Sequence, residues 1–279
     1  VMPLVDIGGR RLSVFDSPAQ ESAGDVVVFE SGLGASGAFW RLVERELQGC
    51  ARLVSYDRAG YGISDAAQGD RGLEALADDL DALLETLHSQ RLVLVGHSWG
   101  GPIVRLVARR RRARGQDVTG LVLVDPSDEG ASMFFGRAFA VSDAMQRALS
   151  VPLARTGLLR RLYGTVLKPL TGELLDAVAE ASASVTAARA SNAELLGVTA
   201  GLEGLLAHPE AETDAPVTVI SGARSGRSDR RQRAELIRAH QRRAVQARNG
   251  RHVLAPHSGH MVPLSEPEVV ADEVRRLLA

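Results

Sequence analysis

A chain of 279 residues that is 45% hydrophobic and 24% charged has the composition of a globular protein, long enough to bury a sizeable core. Its formal net charge of -1 excludes a global electrostatic pull toward nucleic acid or an anionic membrane, and favours a small neutral or mildly polar substrate. The single cysteine, Cys50, excludes an internal disulfide, and no apolar run approaches the roughly 18 residues that a membrane span needs. The opening Val-Met-Pro-Leu-Val-Asp is no secretory leader, so a cytoplasmic location is expected, with a leader or anchor ahead of Val1 left open. Lys168 is the only lysine among 33 basic residues, a bias expected of a GC-rich bacterial genome rather than of function.

In chain order, apolar β-rich runs predict strands over 11–15 and 26–30, a helix over 39–47 and a strand over 53–57. An amphipathic helix over 73–88 follows, then a strand over 92–96, a helix over 100–112 and a strand over 120–125. The arginine block 109–114 ends that second helix, where cations complement the dipole and stay solvated; it is read as a helix end, not a nucleic-acid site. Residues 127–213 are rich in Ala and Leu, show no convincing strand and are far too long for a simple connection. They are expected to form a helical insertion over the carboxyl edge of the sheet, where open α/β folds place ligands. The alternation resumes with a strand over 217–221, a helix over 230–246, a strand over 251–255 and a last helix from Glu268. The pattern predicts a mostly parallel sheet with helices on both faces, its core from 1–126 and 214–279 and its cap from 127–213.

Gly96-His97-Ser98-Trp99-Gly100 fits G-x-S-x-G between a predicted strand and a predicted helix, a context that holds a serine hydroxyl up on a sharp turn. Here the sequence resembles the α/β-hydrolase superfamily, over nearly the whole chain outside the cap. The resemblance implies an α/β-hydrolase fold, Ser98 as nucleophile and a histidine near the C-terminus as general base. His260, in Ser258-Gly259-His260 ahead of Pro263-Leu264-Ser265-Glu266-Pro267, matches the family's histidine loop better than His257 does. Glu30-Ser31-Gly32-Leu33-Gly34 resembles the family's oxyanion loop, which makes the backbone N–H groups of Leu33 and Trp99 the expected oxyanion donors. The segment 55–65, Ser-Tyr-Asp-Arg-Ala-Gly-Tyr-Gly-Ile-Ser-Asp, resembles the loop after the fourth strand and is assigned structure rather than chemistry.

The acid is less legible. Most family members carry an aspartate just after the seventh strand, where this chain has Ser225. Asp125, at the end of the sixth strand in Val-Asp-Pro-Ser, is preferred; Asp229, Asp128 or no acid at all stay open. Met133, Phe134, Phe135 and Phe139 are expected either to line an acyl pocket with Trp40 and Trp99 or to seal the cap onto the core. The function the resemblance implies is hydrolysis of a small carboxylic ester through an acyl-enzyme, with neither cofactor nor metal. Lactone or C–C bond hydrolysis, cofactor-free perhydrolysis and, from another class, a non-turnover ligand receptor are the rivals. Haloalkane dehalogenases and epoxide hydrolases attack with Asp at the elbow, so Ser98 speaks against both.

Overall fold

Val26, Val28, Leu92, Leu94, Leu121 and Leu123 belong to one buried cluster, and Val27, Phe29, Val93, Val95, Val122 and Val124 to another. The two-residue period of a strand sends neighbours to opposite faces, so these runs are apolar throughout because both faces of the sheet are covered. The computed structural model describes residues 3–18, 24–66, 68–167, 170–208 and 213–279; Val1 and Lys168 lie outside them. The strands are β1 Leu4–Asp6, β2 Arg11–Ser17, β3 Asp25–Glu30, β4 Arg52–Asp57, β5 Arg91–His97, β6 Gly120–Val124, β7 Val217–Gly222 and β8 Gly250–Ala255. They pair in the order β1-β2-β4-β3-β5-β6-β7-β8. β2 runs antiparallel to both β1 and β4, and the remaining pairs are parallel.

The predicted alternation is present with three differences, one of them a short unpredicted helix, Val262–Ser265, ahead of the last one. β1, three residues at the sheet edge, is too short for a periodic signal. The helix expected over 39–47 is split into a 3-10 turn, Gly37–Trp40, and α1, Arg41–Glu46, because the Ser36 hydroxyl accepts from the Ala38 N–H and starts the turn early. Helices α2 Leu73–Thr86 and α3 Gly100–Ala113 follow β4 and β5. The arginine block at the end of α3 is spent on ion pairs: Arg110 with Glu74 and Asp78, Arg111 with Asp81 and Glu85, Arg112 with Asp214. Between β6 and β7 the described residues include a 3-10 turn, Ser132–Phe135, and the helices α4 Arg137–Arg155, α5 Leu158–Val166, α6 Gly172–Ala183, α7 Val185–Leu196 and α8 Val198–Ala207. Helix α9, Arg230–Gln246, packs on β7 and β8; α10, Val262–Ser265, leads into α11, Pro267–Leu278, which packs on α1.

Register sets what the sheet presents at its carboxyl edge. Glu30 pairs with Gly96 and His97 with Val124, so β3, β5 and β6 end level with one another. The loops after them are thereby gathered into one place.

Two buried histidines hold this region in a defined protonation state. His97, 3% exposed, donates Nε2–H to the His260 carbonyl (2.8 Å) and lies 5.1 Å from the Phe39 ring. His240, fully buried, donates Nε2–H to the Pro126 carbonyl (2.8 Å), so its Nδ1 accepts from the Ser221 hydroxyl (2.7 Å). Burial, with the nearby His260 adding to it, pushes His97 down to about 3, and burial likewise lowers His240. Above about pH 7.5 neither state of the protein protonates these rings, and they leave stability unchanged. Below it the unfolded chain takes up protons that the folded chain refuses, so stability is lost from about pH 6.5 down toward the folded values. At pH 5 His97 alone is expected to cost about 2 kcal/mol. Thermal denaturation across pH 4.5–8 checks this: the melting temperature should be flat above about pH 7.5 and fall below about pH 6. A curve unchanged to pH 4.5 would show that these histidines are not held neutral.

Candidate active site

The turn between β5 and α3 carries Ser98 at φ 52°, in the left-handed region that a side chain disfavours by about 1–2 kcal/mol. It is held there by its neighbours. Ser98 N–H donates to the Val124 carbonyl (3.1 Å), and the Ser98 carbonyl accepts from Ser127 N–H (2.9 Å). Glycine is required on both sides: a Cβ on Gly96 would stand 2.4 Å from the Gly100 carbonyl oxygen, and one on Gly100 2.3 Å from that of Glu30. Asp125, at φ 42°, is the other non-glycine residue with positive φ among the described residues. The strained positions therefore fall on neighbouring strand ends, β5 and β6.

The His260 loop reaches this edge from β8. Glu266 anchors it, accepting from His257 N–H (3.0 Å) and from the Ser258 hydroxyl (2.5 Å). His257 itself is exposed. His260 Nε2 stands 3.0 Å from Ser98 Oγ, and its Nδ1 2.7 Å from Asp125 Oδ2. Asp125 is fully buried and also accepts from Gly222 N–H (3.1 Å) and from Arg233 Nη1 (2.6 and 2.7 Å to its two oxygens). Burial alone raises this carboxyl, but the His260 hydrogen bond and the His260 and Arg233 charges outweigh it and hold the group below the usual carboxylate range. Asp229 lies instead at the start of α9, and Asp128 is paired with Arg243 (2.5 Å). Of the weighed carboxylates, Asp125 is the one the fold brings to His260. Arg233 escaped the sequence reading: it is one arginine among many on an arginine-rich helix, and nothing local marks its reach to β6.

Gly32, Leu33 and Gly34 follow β3 and line a cavity of about 650 Å³ together with Ser98 and His260. Among the described residues no acceptor is paired with the backbone N–H of Leu33 or of Trp99. The far wall comes from the insertion, with Met145, Leu149 and Leu153 of α4 and Leu159, Leu162 and Tyr163 of α5. This corrects the expected pocket, since Trp40, Phe134, Phe135 and Phe139 are not in its lining. Trp40 is fully buried under β3, its ring 5.1 Å from that of Phe29. Phe134 and Phe139 meet edge to face at 5.6 Å and pack on the core cluster that also holds the Trp99 ring, while Phe135 is 38% exposed. The sequence showed an apolar cluster, and the turn after β6 aims it at the body of the protein instead of the cavity. The helix face that does line the cavity, Ser142, Met145, Gln146 and Leu149, is mixed in polarity and carried no distinct signal.

Among the described residues no group of three or more His, Cys, Asp or Glu side chains is placed to hold a metal ion, and no helix is long and apolar enough to cross a membrane. Comparison with known proteins bears on this arrangement. The chain is 27% identical over 299 aligned residues to an AB hydrolase superfamily protein of Gibberella zeae, covering 96% of this chain and 90% of that one. It is 37% identical over 120 residues to a haloalkane dehalogenase of Sphingobium indicum, covering 41% and 39% of the two chains. Among solved structures, an esterase from Thermogutta terrifontis superposes with a TM-score of 0.71 at 21% identity, covering 96% of this chain and 93% of that one. An epoxide hydrolase of Vigna radiata superposes at 0.78 and 14% identity, covering 100% and 98%; at such identities the likeness is one of fold. The profile of the Alpha/beta hydrolase family matches residues 27–273, from β3 into α11, and with that span the chain belongs to the alpha/beta hydrolase family.

Proposed function

We propose that this protein is a serine hydrolase that cleaves carboxylic esters with an uncharged, apolar acyl group. The observation that carries the reading is the hydrogen-bonded series Ser98 Oγ, His260, Asp125, at 3.0 and 2.7 Å, opening onto a cavity. His260 Nε2 takes the hydroxyl proton as Oγ attacks the ester carbonyl. The N–H groups of Leu33 and Trp99 receive the oxyanion, and collapse expels the alcohol, which takes its proton from His260. Water then repeats the sequence on the acyl-enzyme. Asp125 accepts from Nδ1–H and so keeps Nε2 free to act as base.

The acyl preference follows from the lining. His260 and the neutral His97 are the only titratable groups besides Tyr163 among the lining residues, while α4 and α5 contribute Met145, Leu149, Leu153, Leu159 and Leu162. Such a wall offers no counter-charge to an ionic acyl group and a large apolar area to a neutral one. Residues 127–213 in this reading are a cap whose α4 and α5 select the acyl chain. The dehalogenase-like stretch does not redirect the reading, because the elbow side chain here is a hydroxyl.

Four outcomes are expected. A fluorophosphonate probe should label the parent on the peptide that holds Ser98, and Ser98→Ala should fold, fail to label and lose at least about 10⁴-fold in kcat. Labelling that persists in this variant would remove the nucleophile assignment. Asp125→Asn keeps the shape but permits the wrong imidazole tautomer, so a loss on the order of 10⁴ in kcat is expected, against little change for Asp229→Asn. The reverse ranking, in folded variants, would move the acid to the loop after β7. With p-nitrophenyl esters of graded length, Leu149→Trp should lower kcat/KM for octanoate relative to acetate by about tenfold or more, since a blocked apolar subsite forfeits 1–3 kcal/mol. Phe139→Ala should instead lower the melting temperature and leave the length profile alone, as befits a seal against the core.

A further inference from the structure

Arg58, in the loop after β4, is 2% exposed and makes five side-chain hydrogen bonds. Two go to Glu194 near the end of α7, at 2.9 and 2.8 Å, in a bidentate fork. One goes to Glu30 Oε1 (2.6 Å), where β3 ends. The last two go to successive backbone carbonyls of the following loop, Ser31 (2.7 Å) and Gly32 (2.9 Å). A guanidinium is planar and presents its donors in a fixed fork, so Glu194 on one edge sets the direction of the N–H bonds on the other.

The two carbonyls matter because of what shares their peptide planes. In a trans peptide the C=O and the following N–H point in opposite directions, and no cis peptide bond occurs among the described residues. The Gly32 carbonyl, drawn to Arg58, therefore turns the Leu33 N–H away from Arg58. That opposite side holds the cavity: Leu33 lines it with Ser98, and a Cβ built on Gly32 would lie 3.0 Å from Ser98 Cβ. Rotation of this one peptide would remove the donor and put a carbonyl dipole in its place, facing a developing negative charge.

We propose that Arg58 is a positioning residue that aims the Leu33 amide at the oxyanion, and that Glu194 makes this aim depend on α7 of the insertion being seated. The proposal rests on the serine-hydrolase reading for its catalytic consequence, although the orientation of the peptide is a structural claim in its own right. Two other bonds run from the insertion to the same loop, Tyr163 hydroxyl to the Gly34 carbonyl (2.7 Å) and Ser36 N–H to the Ser182 hydroxyl (3.1 Å). Arg58 differs from these in holding the peptide that bears the donor itself.

The test compares a p-nitrophenyl ester with its thionoester, in which sulfur replaces the carbonyl oxygen and accepts amide hydrogen bonds poorly. Arg58→Lys keeps the charge and removes the fork. Its kcat for the oxygen ester should fall by about ten- to a hundredfold with KM nearly constant, below the 10²–10³ that losing a donor outright costs. The thionoester rate should change by less than about threefold, so the oxo-to-thiono ratio collapses. Glu194→Gln, isosteric and the variant to use should Arg58→Lys fail to fold, should show the same ratio change at about three- to tenfold, and the double variant should be no worse than Arg58→Lys alone. Equal losses on both esters, or a lowered melting temperature with an unchanged ratio, would overturn the proposal and leave Arg58 a structural brace. Crystal structures of the two variants decide the structural half without any turnover: the Gly32–Leu33 peptide should be rotated or split between orientations, and an unmoved peptide in both refutes it. Ester turnover that survives Ser98→Ala would sink the hydrolase reading instead, which is a distinct result.

Discussion

Three backbones meet at the end of β5 more closely than any Cβ would allow, and the geometry of the candidate site follows from that contact. Gly96 lies against the Gly100 carbonyl and Gly100 against the Glu30 carbonyl, so the elbow and the start of the loop after β3 are in van der Waals contact through main chain. The Ser98 backbone is then pinned to β6 through Val124 and Ser127. A cost of about 1–2 kcal/mol at φ 52° is tolerable because the sheet on both sides over-determines the turn. The hydroxyl, the loop amides and the carboxylate of Asp125 are positioned by one rigid element rather than by separate flexible ones.

Asp125 shows how a buried carboxylate can be kept ionised at such an edge. Removing a lone carboxylate from water costs several kcal/mol, and here Gly222 N–H, Arg233 and His260 compensate. The placement after β6 works because β7 and β8 lie beyond it in the sheet, so the loop from β8 comes back over the carboxyl edge to bring His260 within 2.7 Å. Arg233 fixes both oxygens of the acid at once, which limits its rotation.

The insertion between β6 and β7 does more than wall the cavity. Hydrogen bonds from α5, α6 and α7 converge on the loop after β3, through Tyr163, Ser182 and the Glu194–Arg58 pair. Arg58 with two carboxylates in a dry interior is weak evidence for stability, since such groups are expensive to desolvate; its contribution is to specify one geometry. A cavity whose wall and whose proposed oxyanion donor are both held by helices of one insertion couples what the site admits to how well it is assembled.

The sequence by itself determined the alternation of strands and helices and the elbow, because each is written in local pattern: apolar runs with period two, stripes with period 3.6, glycines flanking a serine. Ser98 and His260 were legible for the same reason, each sitting in a short motif beside a recognisable element. Asp125 was legible as a candidate but not as a choice, since Asp125, Asp128 and Asp229 all lie close to strand ends and only the fold says which carboxylate meets an imidazole 135 residues away. The cavity wall, Arg233 and Arg58 were decided by tertiary structure alone. An arginine on α9 carries no local sign that it reaches a strand-end carboxylate 108 residues earlier, nor Arg58 that it meets Glu194, 136 residues later. An apolar cluster such as Phe134 and Phe139 reads identically whether it faces a ligand or the core, and the orientation of a helix on the sheet, which is set by packing against elements distant in sequence, separates the two.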